Sequence, residues 1–336
     1  MQAVVVRRPG VYGVEEVPSA KAGPGEVVVE VRACGLCGTD VHIAQGEFPA
    51  SPYPLIPGHE FAGVVVEQGE GVGNPAIGTR VAVDPTLACG SCTACREGHP
   101  NLCARWGAIG DTTNGAFAER VVVPARLCYE VPQGLSWGEA ALIEPLSCVI
   151  WALHRVQPKP GWRTLVLGGG TMGLLLAQML SRSGASHVSV VEPSEERRDL
   201  AQEVGIADVV VPGDEDALSG RFPEGFDLVA DATGIPAVIQ GELARVRRGG
   251  TFLVFGVAPA AAETVFRPFD VYNRDMSIVG SMAVNFTYGP AVRMAPRLHL
   301  KPLLAPPAPL SDYAHQIEEF GRGRWPKQQL APTTDD

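Results

Sequence analysis

Two regions of the chain differ in how hydrophobic and polar residues follow one another. Within the first 130 residues, residues 27–31 alternate apolar and charged positions, and β-rich runs recur at residues 61–66, 80–83 and 117–123. Alternation with a period of two is typical of strands that bury one face, and the Gly- and Pro-rich segments between these runs are typical of turns. This pattern predicts a β-rich region at the amino-terminal end.

The pattern changes near Ser136, where residues 137–156 become mostly apolar with helical spacing. Beyond Gly161, strand-like and helical runs alternate, which indicates a parallel sheet with helices on both faces. The predicted strands are 163–167, 187–191, 208–211, 226–230, 251–255 and 276–279, and the predicted helices are 171–183, 194–204 and 236–246. A further helix is predicted at residues 311–321, and residues 332–336 are expected to fray.

Composition narrows the class of protein. The 336 residues include 27 basic and 37 acidic side chains, and a net charge of −10 argues against a nucleic-acid partner. No run of 18 apolar residues is free of charge, which argues against a membrane span. The amino terminus lacks the segments of a signal peptide. We therefore expect a cytoplasmic protein whose eight cysteines stay reduced.

Four of these cysteines are closely spaced. Cys89, Cys92, Cys95 and Cys103 follow the pattern Cys-x2-Cys-x2-Cys-x7-Cys in a Gly-containing loop. Such a loop wraps one tetrahedral zinc ion, and four thiolates leave no open position for catalysis. An iron–sulfur cluster is the alternative, but its usual pattern has a shorter final gap followed by Pro, whereas Ala104 stands here. The pattern favours a structural zinc site.

A glycine-rich turn lies between a predicted strand and a predicted helix. Gly168, Gly170 and Gly173 form the pattern Gly-x-Gly-x-x-Gly, with Thr171 at the start of the helix. In a dinucleotide-binding turn the first glycine makes the turn, the second admits the pyrophosphate and the third packs helix on strand. The phosphates would bind the helix amino terminus. The sequence thus predicts a dinucleotide cofactor.

An acidic residue follows the second strand, as this type of site requires. Glu192 comes directly after residues 187–191, where a carboxylate accepts hydrogen bonds from the adenosine ribose. Its negative charge would repel a 2′-phosphate, which favours NAD over NADP. Arg197 and Arg198 lie close behind and weaken that preference, so NADP stays open.

A third group of candidate ligands is dispersed along the chain. Cys37, His59 and Glu144 supply a thiolate, an imidazole and a carboxylate, the ligand types of a zinc site with an exchangeable position. Spacing alone does not assemble them. Taken singly, the stronger interpretation of His59 is an ordinary turn histidine, and that of Cys37 is a small residue of the core.

Together the motifs resemble those of zinc-dependent medium-chain alcohol and polyol dehydrogenases, of the sorbitol dehydrogenase type. The resemblance covers nearly the whole chain and follows the order of that family. It includes Gly-Leu-Cys-Gly-Thr-Asp-x-His at residues 35–42, Pro-Gly-His-Glu-x-x-Gly at 57–63, the four-Cys loop, Glu-Pro-Leu at 144–146 and the glycine-rich turn.

The resemblance implies a GroES-like β-rich catalytic domain, residues 1–150 completed by 285–336, and a Rossmann domain, residues 151–284, with the active site in the cleft. Cys37 and His59 match the catalytic zinc ligands. Glu144 and Glu60 compete for the third position. By this match, Thr39 hydrogen-bonds the substrate alcohol. His42 passes the alcohol proton outward through the cofactor ribose. It makes Asp40 a support for one of the ligands.

The resemblance also implies the cofactor contacts, the substrate class and the assembly. The expected contacts are Gly168, Gly170, Thr171, Met172, Gly173, Glu192, Arg197, Gly256 and Val257. The expected substrate is a secondary alcohol, specifically a polyol or sugar alcohol, and Asn285 either binds its hydroxyl groups or is an ordinary turn residue. A simple-alcohol or threonine dehydrogenase and a non-catalytic dinucleotide-binding protein are the alternatives. A homodimer or homotetramer is expected.

Overall fold

Seventeen strands are present in this computed structural model, which describes residues 1–48, 50–322 and 326–332. They are β1 (Gln2–Arg8), β2 (Val11–Glu16), β3 (Glu26–Gly35), β4 (Glu60–Gln68), β5 (Arg80–Val83), β6 (Thr86–Leu87), β7 (Gly107–Ala108), β8 (Arg120–Pro124), β9 (Cys128–Glu130), β10 (Arg163–Leu167), β11 (His187–Val191), β12 (Asp208–Val210), β13 (Phe226–Asp231), β14 (Val246–Val254), β15 (Ser277–Gly280), β16 (Ala308–Pro309) and β17 (Gln329–Ala331).

The same described residues contain eleven α-helices and six short 3₁₀ turns. The helices are α1 (Gly38–Gln45), α2 (Thr93–Arg96), α3 (Trp137–Ala141), α4 (Ile143–Val156), α5 (Thr171–Arg182), α6 (Glu195–Glu203), α7 (Glu215–Arg221), α8 (Pro236–Glu242), α9 (Pro268–Arg274), α10 (Tyr288–Met294) and α11 (Tyr313–Gly321). The 3₁₀ turns are Pro100–Leu102, Ala125–Leu127, Leu243–Arg245, Ala295–Arg297, Lys301–Leu303 and Leu310–Asp312. None of the helices within the described ranges is long and apolar enough to cross a membrane.

Two units divide the chain: Met1–Ser147 with the described residues from Val284 onward, and Cys148–Ala283. The first unit is built on a sheet in the order β16-β17-β3-β4-β5-β9, and β8 also pairs with β3. Its core contains Phe61, Phe117 and Tyr313, which are at most 1% exposed. The predicted β-rich region is therefore confirmed.

The antiparallel pair β3 and β4 sets the position of the later site. Its register places Gly35, at the end of β3, opposite Glu60, at the start of β4. A Cβ atom on Gly35 would lie 2.5 Å from Glu60 Oε2, too close for any real contact. The missing side chain at Gly35 therefore leaves the room that the Glu60 carboxylate occupies.

The second unit is a six-stranded parallel sheet in the order β12-β11-β10-β13-β14-β15. This is the doubly wound order, and the chain reverses its direction of winding between β10 and β13. Ligands of such sheets bind at the carboxyl ends of the strands beside this point. The predicted doubly wound α/β architecture is confirmed.

Several local features differ from the sequence-based expectation. The helix predicted at 236–246 ends at Glu242, because β14 already begins at Val246. Residues 137–156 form two helices rather than one, with the break at Leu142. Pro145 explains this break, because proline has no N–H to donate to a preceding turn and is tolerated in the first turn of a new helix. Helix α1 was not predicted, because its first residues, Gly38 and Thr39, are poor helix formers.

Candidate active site

A thiol, an imidazole and a carboxylate meet near the start of β4. Cys37 precedes α1, His59 precedes β4, and Glu60 is the first residue of β4. One ligand atom from each of these three residues lies within 4.8 Å of the other two. Sulfur, nitrogen and oxygen donors fit a zinc ion that takes three protein ligands and keeps a fourth position for water or substrate. We refer to Cys37, His59 and Glu60 as the mixed-ligand cluster.

Helix α1 positions Cys37 and the two predicted proton-transfer residues. The Cys37 N–H donates to Asp40 Oδ2 at 2.8 Å. This hydrogen bond connects Cys37, just before the helix, to the first turn of α1. Thr39 Oγ1 lies 3.9 Å from Cys37 Sγ. His42 follows Thr39 by three residues, so both side chains emerge on the same face of the helix. The helix therefore arranges a thiol, a hydroxyl and an imidazole in sequence along its surface.

The two carboxylates predicted to compete for the third ligand position are separated by the structure. Glu60 belongs to the mixed-ligand cluster, whereas Glu144 does not join it within the described part of the chain. Glu144 is buried in the first turn of α4. Burial raises the pKa of Tyr288 well above its ordinary value, and the nearby charge of Glu144 raises it further.

A tight turn places His59. Gly58 has φ +99°, a left-handed conformation that favours glycine, and its carbonyl accepts a hydrogen bond from Ala116 N–H at 2.9 Å. The turn directs His59 Nδ1 toward two buried carboxylates: Asp111 Oδ1 lies 3.1 Å away and Asp40 Oδ1 lies 3.9 Å away. A carboxylate at Nδ1 keeps the proton on that nitrogen and leaves Nε2 as the metal-binding atom.

Asp40, which the resemblance makes a support for one of the ligands, accepts the Cys37 N–H, but Asp111 is the carboxylate closer to His59. The pKa values of His59 and Asp40 are shifted because both groups are buried beside other charged groups. Burial lowers the pKa of His59, but Asp111, then a hydrogen bond with Cys37 and then Asp40 outweigh it and hold this pKa well above its ordinary value. Burial raises the pKa of Asp40 to about 7, although His59 opposes the shift. The carboxylates of Asp111 and Asp40 therefore attract the His59 imidazole on its Nδ1 side.

A lysine completes the surroundings of the mixed-ligand cluster. Lys327 Nζ lies 2.8 Å from Glu60 Oε1 and 2.7 Å from Glu60 Oε2, and both residues are buried. Burial lowers the pKa of Lys327, but Glu60, together with the nearby Cys37 and Asp40, outweighs it and leaves the pKa above its ordinary value. Lys327 therefore offsets the negative charge that Glu60 brings into the interior.

Neither Asp111 nor Lys327 could be found from local sequence. Asp111 lies 52 residues after His59 and Lys327 lies 267 residues after Glu60, with no spacing motif that links them. Lys327 reaches the site because the neighbouring strand β17 pairs with β3 in a register that sets Gln329 opposite Gly35. Burial distinguishes Lys327 from other lysines, and burial is not visible in the sequence.

The four-cysteine loop forms a second cluster. One sulfur from each of Cys89, Cys92, Cys95 and Cys103 lies within 4.8 Å of the other three. The N–H groups of Ser91 and Cys92 point at Cys89 Sγ at 3.5 and 3.4 Å. Hydrogen bonds led by that of the Ser91 N–H lower the pKa of Cys89 to about 5, which favours the metal-binding thiolate. Four sulfurs in this arrangement fit a closed zinc site.

The predicted cofactor residues of the second unit gather at the carboxyl ends of its strands. Gly168, after β10, has φ +99°, and a Cβ on Gly173 would lie 1.9 Å from Gly168 O. A Cβ on Gly170 would meet no atom within 4 Å, so open space lies beside this glycine. Thr171 and Met172 begin α5 directly after it. The turn has the shape that a pyrophosphate group requires.

The end of β14 brings in the remaining cofactor candidates. Gly256 N–H donates to Asp231 O at 2.8 Å, and a Cβ on Gly256 would lie 2.2 Å from Gly234 N. Val257 follows and is 86% exposed. These residues therefore lie beside the loop that follows β13, at the same strand ends as the glycine-rich turn.

Glu192 lines a cavity of about 390 Å³ together with Gly168, Gly170 and Arg197. Glu192 Oε2 accepts a hydrogen bond from the Gly169 N–H at 2.7 Å, and Oε1 accepts one from the Ser194 N–H at 2.9 Å. These two hydrogen bonds fix the orientation of the carboxylate. Arg197 Nη1 lies 3.8 Å from Glu192 Oε2. A negative and a positive group thus line the same cavity.

Comparison with known proteins agrees with this geometry. Residues 23–133 match the alcohol dehydrogenase GroES-like domain, and residues 171–295 match the zinc-binding dehydrogenase domain. The chain belongs to the zinc-dependent medium-chain dehydrogenase family. It is therefore an oxidoreductase that uses zinc and a nicotinamide dinucleotide.

Several relatives are similar over most of their length. D-arabinitol dehydrogenase 1 of Uromyces fabae is 36% identical over 290 residues, which cover 84% of this chain and 82% of the relative. D-altritol 5-dehydrogenase of Agrobacterium fabrum is 38% identical over 292 residues, 85% of each chain. L-threonine 3-dehydrogenase of Pyrococcus horikoshii is 36% identical over 281 residues, 81% of this chain and 80% of the relative.

Solved structures of similar fold contain both types of cofactor. A zinc-binding dehydrogenase of Sinorhizobium meliloti bound to NADP has a TM-score of 0.93 and 32% identity, covering 98% of this chain and 99% of that one. An Escherichia coli alcohol dehydrogenase in complex with NADH has a TM-score of 0.91 and 26% identity, with the same coverage.

The four-cysteine cluster gives the first prediction. Replacing Cys95 with Ser is expected to lower bound zinc from about two ions per chain to about one and to lower the melting temperature, because a serine hydroxyl does not replace a thiolate ligand. Metal analysis and thermal unfolding measure both effects. Cys128→Ala, outside both clusters, is the control and is expected to retain both ions. An unchanged zinc content in the Cys95 variant would contradict the assignment.

The buried ion pair gives the second prediction. In the zinc-free protein, Lys327→Met leaves Glu60 as an uncompensated buried charge, a change that costs about 3–5 kcal/mol and lowers the melting temperature by roughly 10 °C relative to the zinc-free wild type. Lys301→Met removes an exposed lysine and is expected to have little effect. Adding Glu60→Gln to the Lys327 variant is expected to restore part of the loss. Equal melting of the Lys327 and Lys301 variants would show that the pair does not stabilise the fold.

Proposed function

We propose that this protein oxidises a secondary alcohol of a polyol or sugar alcohol, with NAD as the hydride acceptor. The observation that carries the proposal is the mixed-ligand cluster, whose sulfur, nitrogen and oxygen donors would hold a zinc ion by three protein ligands, the number found in catalytic zinc sites. Two relatives of similar length are named as dehydrogenases of polyols, D-arabinitol and D-altritol, which supports the substrate class.

We assign each residue a role that suits its position. Cys37, His59 and Glu60 would hold the metal, and Asp111 would orient the His59 ring through Nδ1. When bound, zinc supplies Lewis acidity that favours loss of the alcohol proton, and NAD takes the hydride. Thr39, beside the Cys37 sulfur, accepts that proton as a hydrogen-bond relay, and His42 passes it on toward water.

A polyol also needs partners for its other hydroxyl groups. Asn285 is 6% exposed, and its Oδ1 has no hydrogen-bond partner among the described residues. Its neighbours Ala283 and Phe286 both have positive φ, at 49° and 55°, which indicates a constrained backbone on either side. We assign Asn285 as a hydrogen-bond partner of a substrate hydroxyl, because an unpaired buried amide oxygen is otherwise costly.

Threonine is the second candidate substrate, on account of the similar threonine dehydrogenase. Its carboxylate would need a cationic anchor that a neutral polyol does not. Testing threonine beside the polyols therefore separates the two candidates.

For the cofactor, we propose NAD rather than NADP. The carboxylate of Glu192, fixed by two backbone N–H groups, is placed to accept hydrogen bonds from the ribose hydroxyl groups and to repel a 2′-phosphate. Arg197, 3.8 Å from it, opposes this preference without removing the carboxylate. NADP is the alternative, since one similar structure binds it.

We also propose a homodimer formed along the outer edge of β15, from which a homotetramer could be assembled. In the described sheet, β15 pairs with β14 on one side and lies at the edge. Ile278 on this strand is 40% exposed, and Phe269 and Tyr272 on the preceding helix are 66% and 84% exposed. An unpaired edge strand beside exposed apolar residues is suited to pairing with a second copy. We further propose a reducing, cytoplasmic location, because the four clustered cysteines bind zinc only as reduced thiolates.

Activity is the first test of this proposal. NAD reduction with a panel of pentitols, hexitols and cyclic polyols is expected to exceed that with threonine or simple alcohols. Cys37→Ser is expected to lower kcat at least about 100-fold, because a weaker ligand disrupts the metal site, while NAD binding persists. Cys128→Ala serves as the matched control. Turnover of threonine alone, or full activity of the Cys37 variant, would overturn the proposal.

Cofactor choice is tested at Glu192. Glu192→Ala removes the acceptor of ribose hydrogen bonds and the charge that repels a phosphate, so the ratio of kcat/KM for NAD over NADP is expected to fall about tenfold or more. Glu203→Ala, an exposed position at the end of α6, is the control. A wild-type protein that already prefers NADP would refute the assignment.

Assembly is tested at the edge strand. Ile278→Lys places a charge at the outer edge of β15 and is expected to convert the dimer into a monomer, as measured by light scattering after gel filtration. Ile77→Lys, at a position 63% exposed in the first unit, is expected to leave the mass unchanged. A monomeric wild-type protein at micromolar concentration would be incompatible with this interface.

A further inference from the structure

The carboxyl end of α1 folds back on the helix. Gly46 has φ +82°, its N–H donates to Ile43 O at 3.1 Å, and the Glu47 N–H donates to His42 O at 2.7 Å. A glycine in this conformation ends a helix and returns the next residue toward the preceding turn. The backbone of Glu47 is therefore attached to that of His42, five residues earlier.

The first strand fixes this turn from outside. The Gly10 N–H, just after β1, donates to Ala44 O at 2.8 Å. A Cβ on Gly46 would lie 2.5 Å from Pro9 Cγ, so the turn packs closely against Pro9. Its geometry is set by packing and hydrogen bonds, and not by the exposed side chains it carries.

The side chains of the two residues meet as well. Glu47 Oε2 lies 2.8 Å from His42 Nδ1. An ionised carboxylate only accepts hydrogen bonds, so Nδ1 carries the proton in this contact and Nε2 of the neutral ring is left as an acceptor. Among the described residues Glu47 is the one ionisable group in contact with this ring.

We propose that Glu47 is a positioning residue of the proton route, which binds Nδ1–H of His42 and thereby makes Nε2 the nitrogen that accepts the substrate proton. This inference rests on the proposed function, in which His42 transfers that proton outward. A base must present an unprotonated nitrogen to the proton it takes, and a carboxylate on the other nitrogen also stabilises the cation that forms. The side chains of His42 and Glu47 are 43% and 58% exposed, so water can take the proton onward.

The first measurement does not depend on activity. Long-range ¹H–¹⁵N spectra of the zinc-loaded protein, without cofactor or substrate, report the tautomer of each of the seven histidines. Loss of one set of signals in His42→Asn identifies the His42 ring. Above pH 8 the wild-type ring is expected to be the Nδ1–H tautomer, and Glu47→Gln is expected to shift the population toward the Nε2–H form that dominates in free histidine. An unchanged tautomer would overturn the proposal.

The second measurement is kinetic. Glu47→Gln is expected to lower kcat about fivefold with KM nearly unchanged, the range of an exposed ion pair, and Glu47→Asp is expected to recover part of the loss. In a His42→Asn background the Glu47 change is expected to have no further effect, since the two residues act through one ring. Glu70→Gln, an exposed glutamate outside the site, is the control.

The outcomes separate the two proposals. A wild-type protein that oxidises no alcohol refutes the proposed function, while the tautomer spectra still decide whether Glu47 fixes the ring. An active enzyme whose Glu47→Gln variant keeps both kcat and the tautomer refutes the inference alone. Equal losses from Glu47→Gln in the wild-type and His42→Asn backgrounds would assign Glu47 a merely structural role.

Discussion

Buried negative charge around one imidazole is the constraint on which the first unit depends. Asp40 and Asp111 face Nδ1 of His59, and Glu60 Oε1 lies 4.0 Å from Nε2. Burying several anions together is costly unless cations accompany them. Lys327 supplies one positive charge, and a divalent ion held by the mixed-ligand cluster would supply more. Metal binding and the stability of this unit are therefore expected to be linked.

Antiparallel pairing creates this concentration of charge. The register of β3 with β4 sets Glu60 against a glycine, and the register of β17 with β3 brings Lys327 to the same place. A one-residue slip in either pairing would turn the side chain to the other face of the sheet. The strands beneath the site are rich in buried valines, so the hydrophobic core enforces the register that the polar site needs.

The two zinc-type clusters illustrate different ways to assemble a site. The four-cysteine cluster comes from 15 consecutive residues, and the N–H groups of its own loop stabilise its thiolates. The mixed-ligand cluster comes from separate segments and uses carboxylates from elsewhere in the fold to orient its histidine. Helix α1 and the turn that ends it carry Thr39, His42 and Glu47, which follow the thiol along the chain. A closed site suits stability, and an open one with oriented neighbours suits chemistry.

Sequence by itself determined the features that depend on neighbours along the chain. Periodicity predicted the β-rich region and the doubly wound sheet, and short spacings predicted the four-cysteine loop and the turn at Gly168. Tertiary structure alone decided that Glu60 joins the cluster and Glu144 does not, that Asp111 is closer to His59 than Asp40 is, and that Lys327 neutralises Glu60. Local motifs are set by backbone geometry within one turn or loop, whereas these contacts depend on strand register and burial between segments far apart in the chain.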